Sequence, residues 1–347
     1  MEGDIATGRE VATYQTGVVT SLSFSPDSTT LAVGGGDTTV KLLNTASPPT
    51  LSTMSLEPGV NVTSLALSSD GTAVAVGADG KVKILNIKGG DKVTLPGEMG
   101  TTYSVAFSPD GKFLAAGGQE GGVKLWDATS HKELATFGNN SDTVRCVAFS
   151  QDGKILVAGY LGGEVMLFDT TSHNELRTLR MNSAAMSAAF SSDGRLLAVG
   201  DHAGFLKVWE TSAFKELGMV EDTSIRALAF SPDGKIIVTG NDDNSVNVWD
   251  SNLSIAKPVK LEGHDKRVMS VAFSPDGKTF ATSSSGGTVK LWDTRSYQEL
   301  LTLTNNASDY IPVAFSPLGK TLVVGAIGQI YFWHAATGEE VAALQTN

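Results

Sequence analysis

Cysteine is nearly absent: the chain of 347 residues has one, Cys146. No internal disulfide can form, and the apolar run VRCVAF around it predicts a buried, inert thiol rather than a reactive one. Histidine is scarce as well, with five residues, His131, His173, His202, His264 and His334, none at metal-ligand spacing from another histidine or from the cysteine. Positive charge is in deficit, 26 Lys+Arg against 37 Asp+Glu for a net −11. The resulting field repels phosphate backbones and anionic lipid, so neither nucleic acid nor membrane is the expected partner. No window approaches the ~20 apolar residues of a membrane span. The opening residues MEGDIATGREVATYQTG lack a basic or apolar leader region, which makes a cytoplasmic protein the expectation and leaves the sequons at Asn61, Asn139, Asn252 and Asn306 as chance matches. P-loop, G-x-S-x-G, H-E-x-x-H and complete dinucleotide fingerprints are missing, so no enzyme, cofactor or metal is expected.

What the chain does have is glycine, 38 residues, with 41% hydrophobic and 18% charged residues, the balance of an all-β protein with many tight turns. Sliding the sequence against itself yields eight copies of one pattern, clearest in SVAFSPDGKFLAAGGQEGGVKLWD at 104–127. The anchor of the first strand falls at Phe24, Leu67, Phe107, Phe149, Phe190, Phe230, Phe273 and Phe315, at spacings of 40 to 43. A period of ~40 to 45 with four short strands per unit predicts a propeller. Each first strand ends in a turn of the SPDG type, in which Pro sets φ, Asp bonds nearby backbone and Gly takes a left-handed conformation. Ser28 replaces the glycine in the first copy and Leu318 the aspartate in the last. A four-stranded sheet this small cannot bury both faces alone, so the units must stack radially and close.

All five tryptophans, Trp126, Trp209, Trp249, Trp292 and Trp333, fall at one third-strand position, where the other copies have Leu43, Leu85 and Phe168. The slot demands apolar volume between units, a structural rather than a ligand-binding use of the rings. With the third-strand Trp-Asp pairs at Trp126-Asp127, Trp249-Asp250 and Trp292-Asp293, the SPDG turns and Gly263-His264, the chain resembles the WD-repeat propeller family over essentially its full length. The resemblance implies a closed β-propeller of four-stranded antiparallel blades in a single domain, 1–347. Eight copies argue for eight blades, with seven, common in the family, as the alternative. Residues 1–16 resemble a fourth strand that helps close the ring, in competition with HAATGEEVAAL at 334–344. The family's His, Ser/Thr, Asp, Trp hydrogen-bonded set is incomplete in every copy. The sixth has Thr239, Asp243 and Trp249 with Glu221 in the histidine's place; the seventh has His264, Thr282 and Trp292 with Gly286 in the aspartate's; Asp37 and Asp79 sit at the turn position of the first two copies without the tryptophan.

The loops entering the first strands and those joining second to third strands lie on one face around the channel, the face that resembles the docking surface of the family. Four residues before each anchor stand Thr20, Thr63, Tyr103, Arg145, Met186, Arg226, Met269 and Ile311; seven before each Trp slot stand Gly36, Ala78, Gln119, Leu161, His202, Asp242, Ser285 and Ala326. The first set varies sharply while its neighbours repeat, and Tyr, Arg and Met are interface-enriched types. Tyr103, Arg145, Met186, Arg226, Met269, Ile311, Leu161, His202 and Asp242 are therefore the expected partner-binding residues, and the arginines could meet a carboxylate or phosphate. Asn241-Asp242-Asp243-Asn244 is an oxygen-rich cluster, read as a polar hairpin turn in preference to a metal site, with Asp243 structural. The function expected is a non-catalytic scaffold, monomeric, that docks a protein or peptide. The alternatives are a ligand-binding or enzymatic propeller using the central channel, or the sensing half of a larger signalling protein.

Overall fold

The computed structural model describes residues 12–45, 50–57, 61–78, 80–87, 91–120, 122–138, 142–254, 257–304, 312–319 and 321–334. They form an all-β, propeller-like array with six four-stranded antiparallel sheets and one of seven strands. The fifth repeat is representative: Ala185–Phe190, Leu196–Asp201, Phe205–Glu210 and Lys215–Glu221 pair in sequence order. Burial grades across such a sheet. The second strand is almost wholly buried and the fourth mostly exposed, with one buried residue such as Val220, as expected when flanking sheets cover the middle of each unit.

Local chemistry builds the turns. In seven repeats the serine ending the first strand donates to the aspartate two residues on, as Ser108 does to Asp110 at 2.7 Å, and accepts the N–H of the second strand's first residues, Phe113 at 2.9 Å. These hydrogen bonds, the serine's foremost, hold the Asp152 and Asp193 carboxyls below the ordinary range. The fourth turn residue is left-handed throughout, φ 67° to 73° where it is glycine and 60° at Ser28.

Eight apolar clusters join neighbouring repeats. Each Trp slot faces the preceding repeat: Trp126 packs with Ala75, Val82 and Ile84, and Trp249 with Ala198, Leu206 and Val208. The five indoles are 1% to 4% exposed, and Phe168 stacks on Phe137 of the preceding repeat at 4.3 Å. One cluster unites the eighth repeat with the first, Val323, Ile330 and Phe332 against Val19, Leu31, Val33 and Leu43.

The seven-stranded sheet lies at that seam. Its order is Val313–Phe315, Thr321–Gly325, Ile327–His334, Ala12–Phe24, Thr30–Gly35, Thr39–Asn44, Thr50–Ser55. The strand Ala12–Phe24 serves two repeats: Ala12 to Val18 pair with Ile327–His334, while Val19 to Phe24 pair with Thr30–Gly35. The rival C-terminal stretch, beyond His334, and most of the 1–16 stretch lie outside the described residues. Among the described residues no helix is long and apolar enough to cross a membrane.

Innermost strands are stitched by side chains. Ser21, Ser64 and Ser104 accept the N–H of Leu65, Val105 and Val147 of the next repeat at 2.9 to 3.1 Å. Cys146 takes the same position, its thiol 3.9 Å from the Ala185 carbonyl. Burial pushes that thiol up to about 11, so it stays protonated and unreactive near neutrality.

Candidate functional site

The first set of variable positions has a shared backbone cause. Thr20, Tyr103, Arg145, Met186, Arg226 and Met269 are each the extra residue of a β-bulge in the first strand, as where Val144 pairs Tyr160 and Cys146 pairs Gly159 with Arg145 left between. A bulge leaves one residue out of the ladder and re-aims its side chain, and at a barrel or channel rim it commonly serves that purpose. The second set abuts the first. Gln119, Leu161, His202, Asp242 and Ser285 each donate backbone N–H to a carbonyl of the stretch entering the first strand, from Leu161 to Thr143 at 2.8 Å and from Asp242 to Ser224 at 3.0 Å, and Gly36 donates to Val18 within the strand Ala12–Phe24 at 3.0 Å. Both loops of a repeat are thereby pinned on one face.

Side chains meet across this face from the third repeat to the seventh. The Arg145 guanidinium lies over the Tyr103 ring, 4.7 Å from its centroid. His202 Nδ1 is 2.8 Å from Ser224 Oγ. Arg226 donates to both carboxylate oxygens of Asp242 at 2.7 Å, and Arg267 approaches the same group at 3.7 Å. The Arg226 hydrogen bonds hold the Asp242 carboxyl below its ordinary range, and Asp242 raises the guanidinium in turn. Leu161 is 50% exposed, and Met186 and Met269 are half-buried. Ile311 lies outside the described residues.

The Arg226 guanidinium, which the sequence offers to a partner's carboxylate, is held by Asp242 of the same repeat. Thr20 and Thr63 turn inward, donating to the Val62 and Thr102 carbonyls of the next repeat. Neither pairing was visible in sequence, because both need the radial placement of neighbouring loops.

The polar sets behind the indoles also differ from the sequence reading. In the sixth repeat Asp222, not Glu221, takes the histidine's place: Trp249 Nε1 donates to Thr239 Oγ1 at 3.2 Å, Thr239 to Asp222 at 3.0 Å, and Asn247 Nδ2 to Asp222 at 2.6 Å. Burial raises the Asp222 carboxyl against those bonds. In the seventh, Trp292 Nε1 donates to Thr282 Oγ1 at 2.8 Å, His264 Nε2 lies 2.8 Å from the same oxygen, and His264 Nδ1 lies 2.9 Å from Thr288 Oγ1. Thr288, rather than the residue at Gly286, completes that set. Asp243 joins the sixth repeat's set only indirectly: it accepts Ser245, whose hydroxyl accepts Asn241 Nδ2 at 3.1 Å, which also donates to Asp222 at 3.2 Å, and it pairs with Lys260 at 3.1 Å. With Asp242 and Asp243 so engaged and Asn244 left-handed at φ 71°, the oxygen-rich run is a hairpin turn. Asp79 lies outside the described residues, while Asp37 pairs with Lys41 and accepts the Gly17 N–H at 3.0 Å.

On the opposite face a cleft of about 470 Å³ opens between the sixth and seventh repeats, lined by Pro232, Asp233, Asp276, Thr294 and Tyr297 among others. Its carboxylates lie near Lys235 and Lys278 at 3.3 and 3.9 Å.

Comparison with known proteins agrees with this architecture. The family model described as the first β-propeller of IFT122 matches residues 61–251, more than half of the chain, and the WD domain, G-beta repeat model matches 8–44 and 257–293. An uncharacterized WD repeat-containing protein of Synechocystis, sll1491, is 32% identical over 126 residues, 36% of each chain. The WD repeat-containing protein SL1-17 of Schistosoma mansoni is 32% identical over 127 residues, 36% of this chain and 42% of that one. The chain thus matches well under half the length of either relative. The crystal structure of the computationally designed Ika8 protein superposes with a TM-score of 0.81 at 26% identity, covering 94% of this chain and 98% of that one. The repeated strands, the buried Trp slots and these matches together establish that the chain belongs to the WD-repeat β-propeller family.

Proposed function

We propose that this chain is a non-catalytic, monomeric cytoplasmic scaffold that docks a protein or peptide on the face carrying Tyr103, Arg145, Leu161, Met186, His202, Arg226, Asp242 and Met269. WD-repeat propellers are generally protein-interaction scaffolds, and neither matching family model describes a catalytic activity. The observation that carries the proposal is the bulge: five first strands, at Tyr103, Arg145, Met186, Arg226 and Met269, each set one residue out of the ladder at the equivalent position, and the residue there changes among the repeats, while Thr20 at the first repeat's bulge turns inward. A purely structural bulge would favour one residue type, as the turns do. Half-buried methionines beside an arginine–tyrosine stack offer an adaptable apolar surface with a planar cationic edge.

The scaffold is rigid, in this reading, because it closes as eight blades. The strand Ala12–Phe24 supplies both the outer strand of the last blade and the inner strand of the first, and the Val19–Val323 cluster seals the two. The test replaces Tyr103, Arg145, Met186 and Met269 by alanine together and measures thermal unfolding beside affinity capture from the native cell. Capture lost with unfolding unchanged is expected; capture retained would remove the face from consideration.

A further inference from the structure

The outer strands of the sheets are not alike. An exposed sheet edge is a template for another strand, and proteins blunt it with bulges, charges or brevity. Glu133–Phe137, Glu175–Arg180, Lys215–Glu221 and Glu299–Thr304 each carry a bulge opposite the Trp slot and at least one charged residue. Lys92–Thr94 and Val259–Leu261 are three residues long. The outer stretch from Ala12 to Val18 is irregular between Gln15 and Val18. Thr50–Ser55, the outer strand of the first repeat, carries none of these defences within its own residues. It reads TLSTMS, without charge, proline or glycine, and pairs with Thr39–Asn44 over six residues in unbroken register.

Its hydrogen-bonding direction follows from two contacts. The Leu56 N–H bonds the Thr38 carbonyl at 2.8 Å, so Met54 and Ser52 face inward by strand alternation, and Ser55, Thr53 and Leu51 present their backbone groups outward. The ammonium of Lys92, from the neighbouring repeat, sits on the outward Ser55 carbonyl. A strand added here would give that carbonyl an N–H, releasing the ammonium. The released ammonium is exposed, and a carboxylate on the added strand would lie within its reach. We infer that Thr50–Ser55 is a strand-addition site for an extended acidic segment of a partner protein, with Lys92 as its charge-reading residue. The site lies on the outer rim and is independent of the channel face.

The test uses the full chain and two blocked, fluorescently labelled ten-residue peptides, one alternating threonine with glutamate and the other threonine with lysine. Anisotropy should show the glutamate peptide binding at least tenfold more tightly, and hydrogen exchange should show the Thr53 and Ser55 amides slowing on binding. Thr53→Pro removes only an outward N–H, which an edge strand tolerates, and should weaken binding at least tenfold. Lys92→Glu lies outside the strand and should reverse the preference between peptides. Absence of binding, equal binding of both peptides, or binding indifferent to Lys92→Glu would overturn the assignment. A dimer seen in sedimentation and abolished by Thr53→Pro would give the edge to a second copy of the chain and overturn it equally.

Discussion

His264 should make the seventh repeat sensitive to mild acid. Its ring is 8% exposed, held between Thr282 and Thr288; burial, and then the Lys290 charge, pull it from the ordinary 6.5 down to about 4. A consistent hydrogen assignment has Thr282 accepting from Trp292 and donating to Nε2, with Nδ1–H donating to Thr288. A second ring proton breaks that chain. Below pH 6.5 the unfolded state takes up a proton that the folded state refuses until about pH 4, so stability is full above the unfolded value and falls as pH drops between the two. At about 1.4 kcal/mol per unit, the loss from pH 7.5 to 5 is about 2 kcal/mol. The comparison is urea unfolding of the native chain and His264→Gln at both values, alongside ring-nitrogen NMR titration. The native chain should lose about 2 kcal/mol more than the variant, and the His264 ring should titrate near 4. Parallel losses in the two proteins, or a ring that titrates near 6.5, would refute the argument.

Four further outcomes are expected. Trp249→Ala, which empties a slot packed on the fifth repeat, should cost roughly 3 to 5 kcal/mol in chemical unfolding. Gly325→Ala puts a Cβ 2.3 Å from the Val19 side chain at the seam, and should destabilise by about 1 to 3 kcal/mol, with amide exchange rising first in the first and eighth repeats. Leu318→Asp restores the acceptor that Ser316 lacks and removes a side chain 65% exposed, so thermal unfolding should show a gain of about 1 kcal/mol. A double-mutant cycle on Arg226→Ala and Asp242→Ala should return a coupling of roughly 1 kcal/mol that weakens with salt, since both side chains are about a fifth exposed.

Much of the fold could be read from residue order because it is built from interactions within a few residues. The serine, aspartate and left-handed glycine of the complete turns act over five positions, so their spacing is their geometry. The Trp slot was legible for a related reason: a 40-residue period puts equivalent residues in equivalent places whatever the ring size. Serine at Ser21, Ser64 and Ser104 follows that period too, yet its role needed the adjacent innermost strand to be visible.

What the tertiary structure alone decided is everything that depends on which repeat lies beside which, and in what register. The bulges at Tyr103, Arg145 and Met186 appear only when a strand is paired, because the inserted residue breaks no pattern that a single strand displays. Asp222 displaced Glu221 by one residue, since loop course and not count selects the side chain that reaches Thr239. Arg226 met Asp242, and Arg145 met Tyr103, across 16 and 42 residues of chain. The N-terminal stretch resembles a fourth strand in sequence, but the register of Ala12 to Val18 against Ile327–His334 is set only where the two strands lie side by side. Residue order determined the unit and its turns; radial packing determined the neighbours, and with them the chemistry of the rim.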